Sequence, residues 1–268
     1  MRPERLPDAA ALAARIPDGA RVALAADYAG SPLAVVRALV RRGARELRLL
    51  GVPQLGLAAD ILVGAGCAVE LETAAVGLGE FGIAPCVERA RRAGRLVLRE
   101  STCPAIHSAL QAAEKGLPFL PVRGILGSDL VALRPDWRVI DNPFSPHDPI
   151  LLVPAIRPDV ALLHVPLADR AGDLWIGVRR ELMLMAHAAK ATVASVERLV
   201  DGSLLADPLR APGTIPALYV AAFAEVPNGA APTALWGEPA DLGALEAYAR
   251  AAASPEGFAR WLDAWLAA

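Results

Sequence analysis

The chain has 268 residues, of which 54% are hydrophobic and 21% charged, and its formal net charge is −2 at pH 7. This composition excludes a disordered protein and offers no basic surface for nucleic acid. Its apolar stretches are interrupted by charges before they reach membrane-spanning length, so we expect no membrane insertion. The opening residues lack the apolar core of a secretory signal, and the three cysteines lack metal-ligand spacing. Together these features predict a cytoplasmic protein with free thiols and no bound metal.

Helical and strand-like patterns alternate through the first half of the chain. A helix is predicted from about Asp8 to Arg15 and a strand from Arg21 to Ala26. The next helix is predicted at Pro32–Arg42, with Ser31 as its N-cap and proline at its first position. Strands are then predicted at residues 46–52, 68–76 and 95–99, and helices at 57–63, 85–93 and 106–115.

The second half continues with strands predicted at residues 151–154, 160–165, 191–196 and 218–225. The irregular stretch Arg134–Pro149 contains four prolines. Because strands on both sides of it are expected to share one sheet, we interpret it as an excursion within a single domain, residues 1–268. A C-terminal helix is predicted at about 255–267, where Phe258, Trp261 and Trp265 form an apolar stripe. That stripe packs either on the protein's own core or on a partner subunit.

The alternation of short apolar strands with helices predicts a doubly wound α/β fold, a mostly parallel sheet with helices on both faces. Ligands of such sheets bind beyond the carboxyl ends of the strands. Two glutamates follow predicted strands there: Glu80 in a Gly-Glu-Phe-Gly turn, and Glu100. Either could act as a catalytic carboxylate. The alternatives are a helix-capping role for Glu80 and a polar strand cap for Glu100.

Two further residues have reactive side chains. Cys103 is predicted near the start of a helix, where the helix dipole lowers a thiol pKa, but an inert small residue is the alternative. His164 lies in a predicted buried strand, which favours a hydrogen-bonded core histidine over a catalytic one.

Long ordered motifs carry a family resemblance. They are GLPFLPVRGILGSD at residues 116–129, PAIRPDVALLHV at 154–165, ADRAGD at 168–173 and EVPNGAAPT at 225–233. This text resembles the A-type subunits of family I coenzyme A transferases, glutaconate CoA-transferase above all. The resemblance implies the CoA-transferase/ribose-phosphate-isomerase-like fold.

The resemblance also implies a function. A homologous B-type subunit would be the partner and would carry the nucleophilic glutamate. Acyl-CoA and a carboxylic acid would be the substrates, with no permanently bound cofactor. Ala26, Asp27 and Gly30 occupy the position of the family's substrate-facing, glycine-rich turn, and Arg123 and Gly127 lie in its GLPFLPTR-like segment. Arg123 offers a planar fork for a carboxylate or an inter-subunit ion pair, and a plain surface arginine is the alternative.

Two other functions remain open. The same scaffold serves hydrolases of acyl-CoA thioesters and ring-cleaving enzymes, so this chain could belong to a hydrolase. A non-catalytic ligand-binding module is the other alternative, because sugar-phosphate sensors share the fold.

Overall fold

The computed structural model describes residues 2–268. Its helices are α1 Ala9–Ala13, α2 Leu33–Arg42, α3 Leu57–Gly64, α4 Pro85–Arg92, α5 Cys103–Glu114, α6 Leu130–Leu133, α7 Arg180–Ala188, α8 Leu242–Ala252 and α9 Pro255–Ala267. Its strands are β1 Glu4–Arg5, β2 Arg21–Ala25, β3 Leu47–Val52, β4 Ala68–Thr73, β5 Val97–Glu100, β6 Phe119–Val122, β7 Arg138–Asp141, β8 Pro149–Pro154, β9 Val160–Asp169, β10 Leu174–Trp175, β11 Ala191–Val200, β12 Thr214–Ile215 and β13 Ala222–Glu225. Short 3₁₀ turns lie at Asp27–Ala29, Gly79–Phe81, Ala211–Gly213 and Ala217–Tyr219.

The central sheet has the strand order β1-β13-β11-β9-β2-β3-β4-β5, and neighbouring strands along this path run parallel. From β2 the chain adds strands in one direction, through β3, β4 and β5. It then crosses to the other side of β2 and adds β9, β11 and β13 in the opposite direction. The predicted doubly wound α/β fold is confirmed, and its topological switch point lies between β2 and β9.

Alternating side chains on the strands divide the core into two layers. On β9, Leu162 packs in one cluster with residues of α1 to α4, whereas Leu163 packs in the other with residues of α5 and α7. This alternation follows from the two-residue repeat of a strand, and both faces are apolar because both are covered by helices.

Residues 119–154 contain a separate antiparallel sheet with the order β6-β8-β7. The predicted strand at 151–154 exists, but it belongs to this small sheet. Strands β5 and β9, on either side of Arg134–Pro149, nevertheless both lie in the central sheet, as our interpretation of that stretch assumed. That stretch itself contributes β7, because Arg138–Asp141 pairs along β8.

Several element ends differ from the prediction. Helix α2 begins at Leu33 with Pro32 at the N-cap position and no side-chain cap, so Ser31 is not its cap. Helix α5 begins earlier than predicted, at Cys103, because Thr102 caps it. Strand β9 runs on to Asp169, because its pairing with β11 extends as far as the pair Asp169 and Val200. Only the last four residues of the predicted strand at 218–225 form β13.

The predicted C-terminal helix is confirmed as α9. Phe258 is buried, and Trp261 and Trp265 pack against the core layer that contains α1 to α4. Arg37 lies over the Trp265 ring, 4.7 Å from its centroid. The apolar stripe therefore packs on the protein's own core, which is one of the two alternatives stated for it in the sequence analysis.

Candidate functional site

The turn after β2 lies at the switch point of the sheet. Ala26 is buried, Asp27 begins a 3₁₀ turn, and Gly30 ends it with φ of 86°. A Cβ atom on Gly30 would lie 2.6 Å from the backbone oxygen of His164 on β9. Only glycine allows the two strand ends to approach this closely, because it combines a positive φ with the absence of a side chain.

A cavity of about 380 Å³ opens beside this turn. We call it the β2 cavity. It is lined by Ala26, Asp27, Gln54, Glu80, Phe81 and Leu245, among others. The fold thus brings together three sequence-predicted residues, Ala26, Asp27 and Glu80, from the ends of β2 and β4. Gln54, which follows β3, was not among the predicted residues.

Asp27 has an unusual environment in the β2 cavity. Its Oδ2 accepts a hydrogen bond from the backbone N–H of Leu57 at the start of α3, 2.8 Å away. Within residues 2–268, its Oδ1 and the nearby Ser31 hydroxyl are both shut off from solvent without a well-formed hydrogen bond. Burial raises the pKa of Asp27 to about 6, against the lowering effects of the Leu57 N–H and of Ser31. The carboxyl group can therefore hold or release a proton near neutral pH.

Glu80 is different, because it lies exposed on the 3₁₀ turn Gly79–Phe81. It borders the β2 cavity from its rim and leaves the helix that follows, α4, without a side-chain cap. Glu80 therefore does not cap α4, and that alternative is wrong.

Three other predicted residues lie outside the β2 cavity. Glu100 is exposed at the end of β5 and borders a different cavity, of about 420 Å³, with Arg134. Arg123 pairs with Asp148, its Nε lying 3.0 Å from Oδ1, and lowers the pKa of that carboxyl to about 2. Gly127 is exposed in the turn before α6, with φ of 82°.

Cys103 is exposed at the first position of α5. It does not line the β2 cavity, and Thr102 supplies the helix cap through a bond to the N–H of Ala105. Across residues 2–268, no group of three or more His, Cys, Asp or Glu side chains could hold a metal ion.

A chain of hydrogen bonds crosses the other side of the switch point. His164 is fully buried, its Nδ1 lies 2.8 Å from Ser195 Oγ, and its Nε2 lies 3.2 Å from Oε2 of Glu197. An ionised carboxylate only accepts hydrogen bonds. We therefore place a proton on Nε2 of His164, which donates to Glu197. The prediction of a hydrogen-bonded core histidine is confirmed.

Glu197 follows the buried part of β11 and is held from two sides. Its Oε1 accepts from the backbone N–H of Asn228 at 2.8 Å, while Oε2 accepts from His164. These hydrogen bonds, that of His164 first, lower the pKa of Glu197 and keep it ionised. A Cβ atom on Gly229 would lie 2.5 Å from His164 Cε1, so glycine is required there for the histidine to fit.

Glu197 lines a second cavity, of about 730 Å³, beside the C-terminal parts of β9, β11 and β13. We call it the β11 cavity, and its other walls include Trp175, Arg198, Arg210, Leu235 and Trp236. Sequence reasoning missed Glu197. It stands directly after the apolar run ATVASV, so the rule that ligands bind at strand ends would have selected it.

Residues 7–217 match the family described as coenzyme A transferase. The chain belongs to this family. It is 31% identical over 260 residues to the A-type subunit of the 3-oxoadipate CoA-transferase of Pseudomonas knackmussii, an alignment covering 93% of this chain and 88% of that protein. Being similar over its length to a named A-type subunit, the chain is an A-type member of the family, as its motifs predict.

Two solved structures extend the comparison. Glutaconate coenzyme A-transferase from Acidaminococcus fermentans superposes with a TM-score of 0.90 at 26% identity, covering 98% of this chain and 88% of that one. A variant of the decarboxylase AibA/AibB superposes with a TM-score of 0.89 at 32% identity over 100% of both chains. The fold is therefore shared by proteins whose named reactions differ.

The helices within residues 2–268 are too short or too polar to cross a membrane.

Proposed function

We propose that this chain is the A-type subunit of a heteromeric enzyme that moves CoA between an acyl-CoA and a carboxylic acid. The observation that carries the proposal is its similarity over nearly its whole length to the A-type subunit of a CoA-transferase. Its partner is a homologous B-type subunit, which carries the nucleophilic glutamate. CoA and acyl-CoA are substrates, and no cofactor is bound permanently.

The proposed reaction proceeds in two exchanges. The partner's glutamate attacks the thioester carbonyl, which releases CoA thiolate and leaves an acyl-glutamyl anhydride. The thiolate then attacks the glutamyl carbonyl, which releases the carboxylic acid and leaves an enzyme–CoA thioester. A second acid reverses both steps. Each exchange has a good leaving group, which is the advantage of covalent catalysis here.

Two carboxyl groups of this chain are engaged by hydrogen-bond donors of the chain itself, which suits positioning better than nucleophilic attack. Glu197 is held by two hydrogen bonds, and Asp27 is turned toward the N–H of Leu57. In our proposal Ala26, Asp27, Gly30 and Glu80 form the wall of the cleft that faces the acyl group. Glu100, Arg123 and Gly127 lie apart from that wall, so we leave them out of it.

The test uses the complex of this chain with its B-type partner. It is incubated with acyl-CoA and isotopically labelled acid, and a parallel sample is reduced with borohydride to trap the enzyme–CoA thioester. We expect label in newly formed acyl-CoA, and mass spectrometry to find the reduced glutamate on the partner. A trapped glutamate on this chain would contradict the proposal.

Decarboxylation of an acyl-CoA is the second candidate. It is favoured by the similarity to a decarboxylase over 100% of both chains. Asp27 supports it chemically, because a carboxyl group with a pKa of about 6 could return a proton to the carbon that loses CO₂. The same incubation distinguishes the candidates: CO₂ release without need of an acceptor acid indicates decarboxylation, and free acid with intact carbon indicates hydrolysis.

We further propose that the protein acts in the cytoplasm. Cys67, Cys86 and Cys103 are all free thiols, which suits a reducing compartment. Fractionation of the source cells with an antibody to this chain tests the location, since recovery with secreted proteins would contradict it.

A further inference from the structure

The residues that line the β11 cavity have no role in the cleft wall assigned above. It is the larger of the two cavities at the switch point, about 730 Å³ against about 380 Å³. A smaller cavity of about 90 Å³ also borders Glu197, so this carboxylate lies where two openings meet. A volume of this size holds a ligand or a ligand segment of ordinary small-molecule dimensions.

Two buried polar side chains hold Glu197 in its position. His164 and Ser195, the two polar residues behind it, are each 0% exposed in strands whose buried residues are mostly apolar. Burying such groups is unfavourable unless their hydrogen bonds are made, and here they are made in a chain that ends on Glu197. The side chain of Glu197 is itself 19% exposed, so its carboxylate retains free lone pairs facing outward. The arrangement presents an oriented acceptor to the cavity.

The charges of the cavity select the chemistry of its ligand. Three carboxylates line it, Glu197, Glu225 and Glu238, against two guanidinium groups, Arg198 and Arg210. This balance disfavours a phosphate or a carboxylate and favours a neutral group that brings N–H donors to the glutamates and carbonyl oxygens to the arginines.

The remaining walls are aromatic and apolar. Trp175 and Trp236 meet edge to face, with ring centroids 5.9 Å apart and planes at 82°. Trp236 is 49% exposed, and Leu235 and Pro227 border the same space. Such walls suit methylene groups between the polar groups of a ligand.

We propose that the β11 cavity binds the pantetheine arm of acyl-CoA, with Glu197 accepting from an amide N–H and Trp236 covering the methylene chain. The inference rests on the proposed function, because it takes acyl-CoA as the substrate. The pantetheine arm is the part of that substrate in which secondary amides alternate with short apolar segments.

Tryptophan fluorescence of the two-subunit complex tests the inference without any turnover. Pantetheine is titrated in reducing buffer, and adenosine 3′,5′-bisphosphate is titrated separately as the nucleotide end of CoA. We expect pantetheine alone to change the emission in a saturable way, and Trp175→Phe with Trp236→Phe to remove that change. Displacement of pantetheine by the bisphosphate would overturn the assignment, as would an unchanged response in the double variant.

Variants of Glu197 test the contact itself. Glu197→Ala is expected to weaken pantetheine binding about 10-fold, the usual effect of losing a hydrogen bond to a charged group. Glu197→Gln keeps a carbonyl acceptor in place and should retain most of the affinity. Glu246→Gln, on the exposed face of α8, is the matched control. Equal affinity in all three variants contradicts the inference, and circular dichroism of each confirms that folding is not the cause.

Turnover in the same samples separates this inference from the proposed function. If the wild-type complex binds pantetheine but does not exchange CoA, the function is wrong and the binding site stands. If exchange is normal and Glu197→Ala leaves the KM for acyl-CoA unchanged, the function stands and the binding site is wrong. A raised KM with an unchanged kcat supports both.

Discussion

Asp27 and Glu197 lie on opposite sides of the switch point and have opposite electrostatics. Asp27 receives one backbone N–H and is otherwise enclosed, so burial raises its pKa to about 6. Glu197 receives His164 and the N–H of Asn228, and its pKa is lowered. Both are carboxylic acids; Asp27 follows the end of β2, and Glu197 lies in the C-terminal part of β11. The number of donors that the surrounding turns supply decides which of them stays ionised and which can carry a proton.

The largest expected effect is the loss of pH dependence in Asp27→Asn. The folded protein binds the Asp27 proton more tightly than the unfolded chain does, so the free energy of unfolding falls as pH rises from about 4 to about 6. The decrease amounts to at most about 3 kcal/mol. Denaturant unfolding at pH 4 and pH 7.5 should show this decrease in wild type and in the control Asp263→Asn, but not in Asp27→Asn. The same decrease between pH 4 and pH 7.5 in all three proteins would show that folding does not raise the pKa of Asp27.

The close approach of Gly229 to His164 predicts the next effect. In Gly229→Ala, the added methyl group would lie 2.5 Å from His164 Cε1 and would lower the free energy of unfolding by about 1–3 kcal/mol. Gly124→Ala is the control, because within residues 2–268 nothing lies within 4 Å of the corresponding position. Thermal unfolding measures both. Removing the ring with His164→Ala should relieve only part of the penalty, because the backbone oxygen of Val226 would still lie 2.8 Å from the added methyl group. Strictly additive changes in the double variant would argue against a direct clash with the ring.

Glu197→Gln should destabilise the protein at neutral pH by about 1–2 kcal/mol, the contribution of hydrogen bonds to a charged group. The pKa of Glu197 is lowered by folding, so its contribution is present above the ordinary glutamate pKa and is lost as pH falls through the lower folded value. Unfolding experiments at a series of pH values should therefore show a difference from wild type that is largest at pH 7.5 and shrinks as the pH falls. A deficit that stays constant as the pH falls would mean that packing, rather than charge, accounts for the effect.

The smallest effect concerns the turn after β2. The guanidinium of Arg179 lies over the Tyr28 ring, 4.7 Å from its centroid. Tyr28→Ala should lower the free energy of unfolding by about 0.5–1 kcal/mol, whereas Tyr28→Phe keeps the ring and should leave it unchanged. Chemical denaturation distinguishes the two, and a loss in Tyr28→Phe would implicate the hydroxyl group instead.

Much of the architecture was predictable because the periodicity of apolar residues is a local property. The runs VALLHV and ATVASV are apolar on both strand faces, and β9 and β11 lie side by side between two helical layers. The family was recognisable from the motifs at residues 116–129 and 154–173. The Ser31 cap was wrong, because the turn at the switch point buries Ser31 beside Asp27 and moves the helix start past Pro32.

The candidate site was predictable only in part. The strand-end rule selected Ala26, Asp27 and Glu80, and the fold brings these together. It also selected Glu100, which lies in another cavity because β5 is the edge strand, far along the sheet from the switch point. Arg123 was selected for its motif, and the small sheet pairs it with Asp148 from a distant part of the chain.

The amino-acid sequence alone determined the class of fold, the core-facing residues of the strands and the family. Hydrophobic periodicity and ordered motifs are properties of the linear sequence and do not depend on long-range contacts. Only the tertiary structure decided the strand order, and with it which strand ends meet. That order places Gly30 and Gly229 against His164 and joins His164 to Glu197, 33 residues away in the chain. The pKa values of the two acidic groups depend on such long-range neighbours, since burial and donor count exist only once the chain is folded.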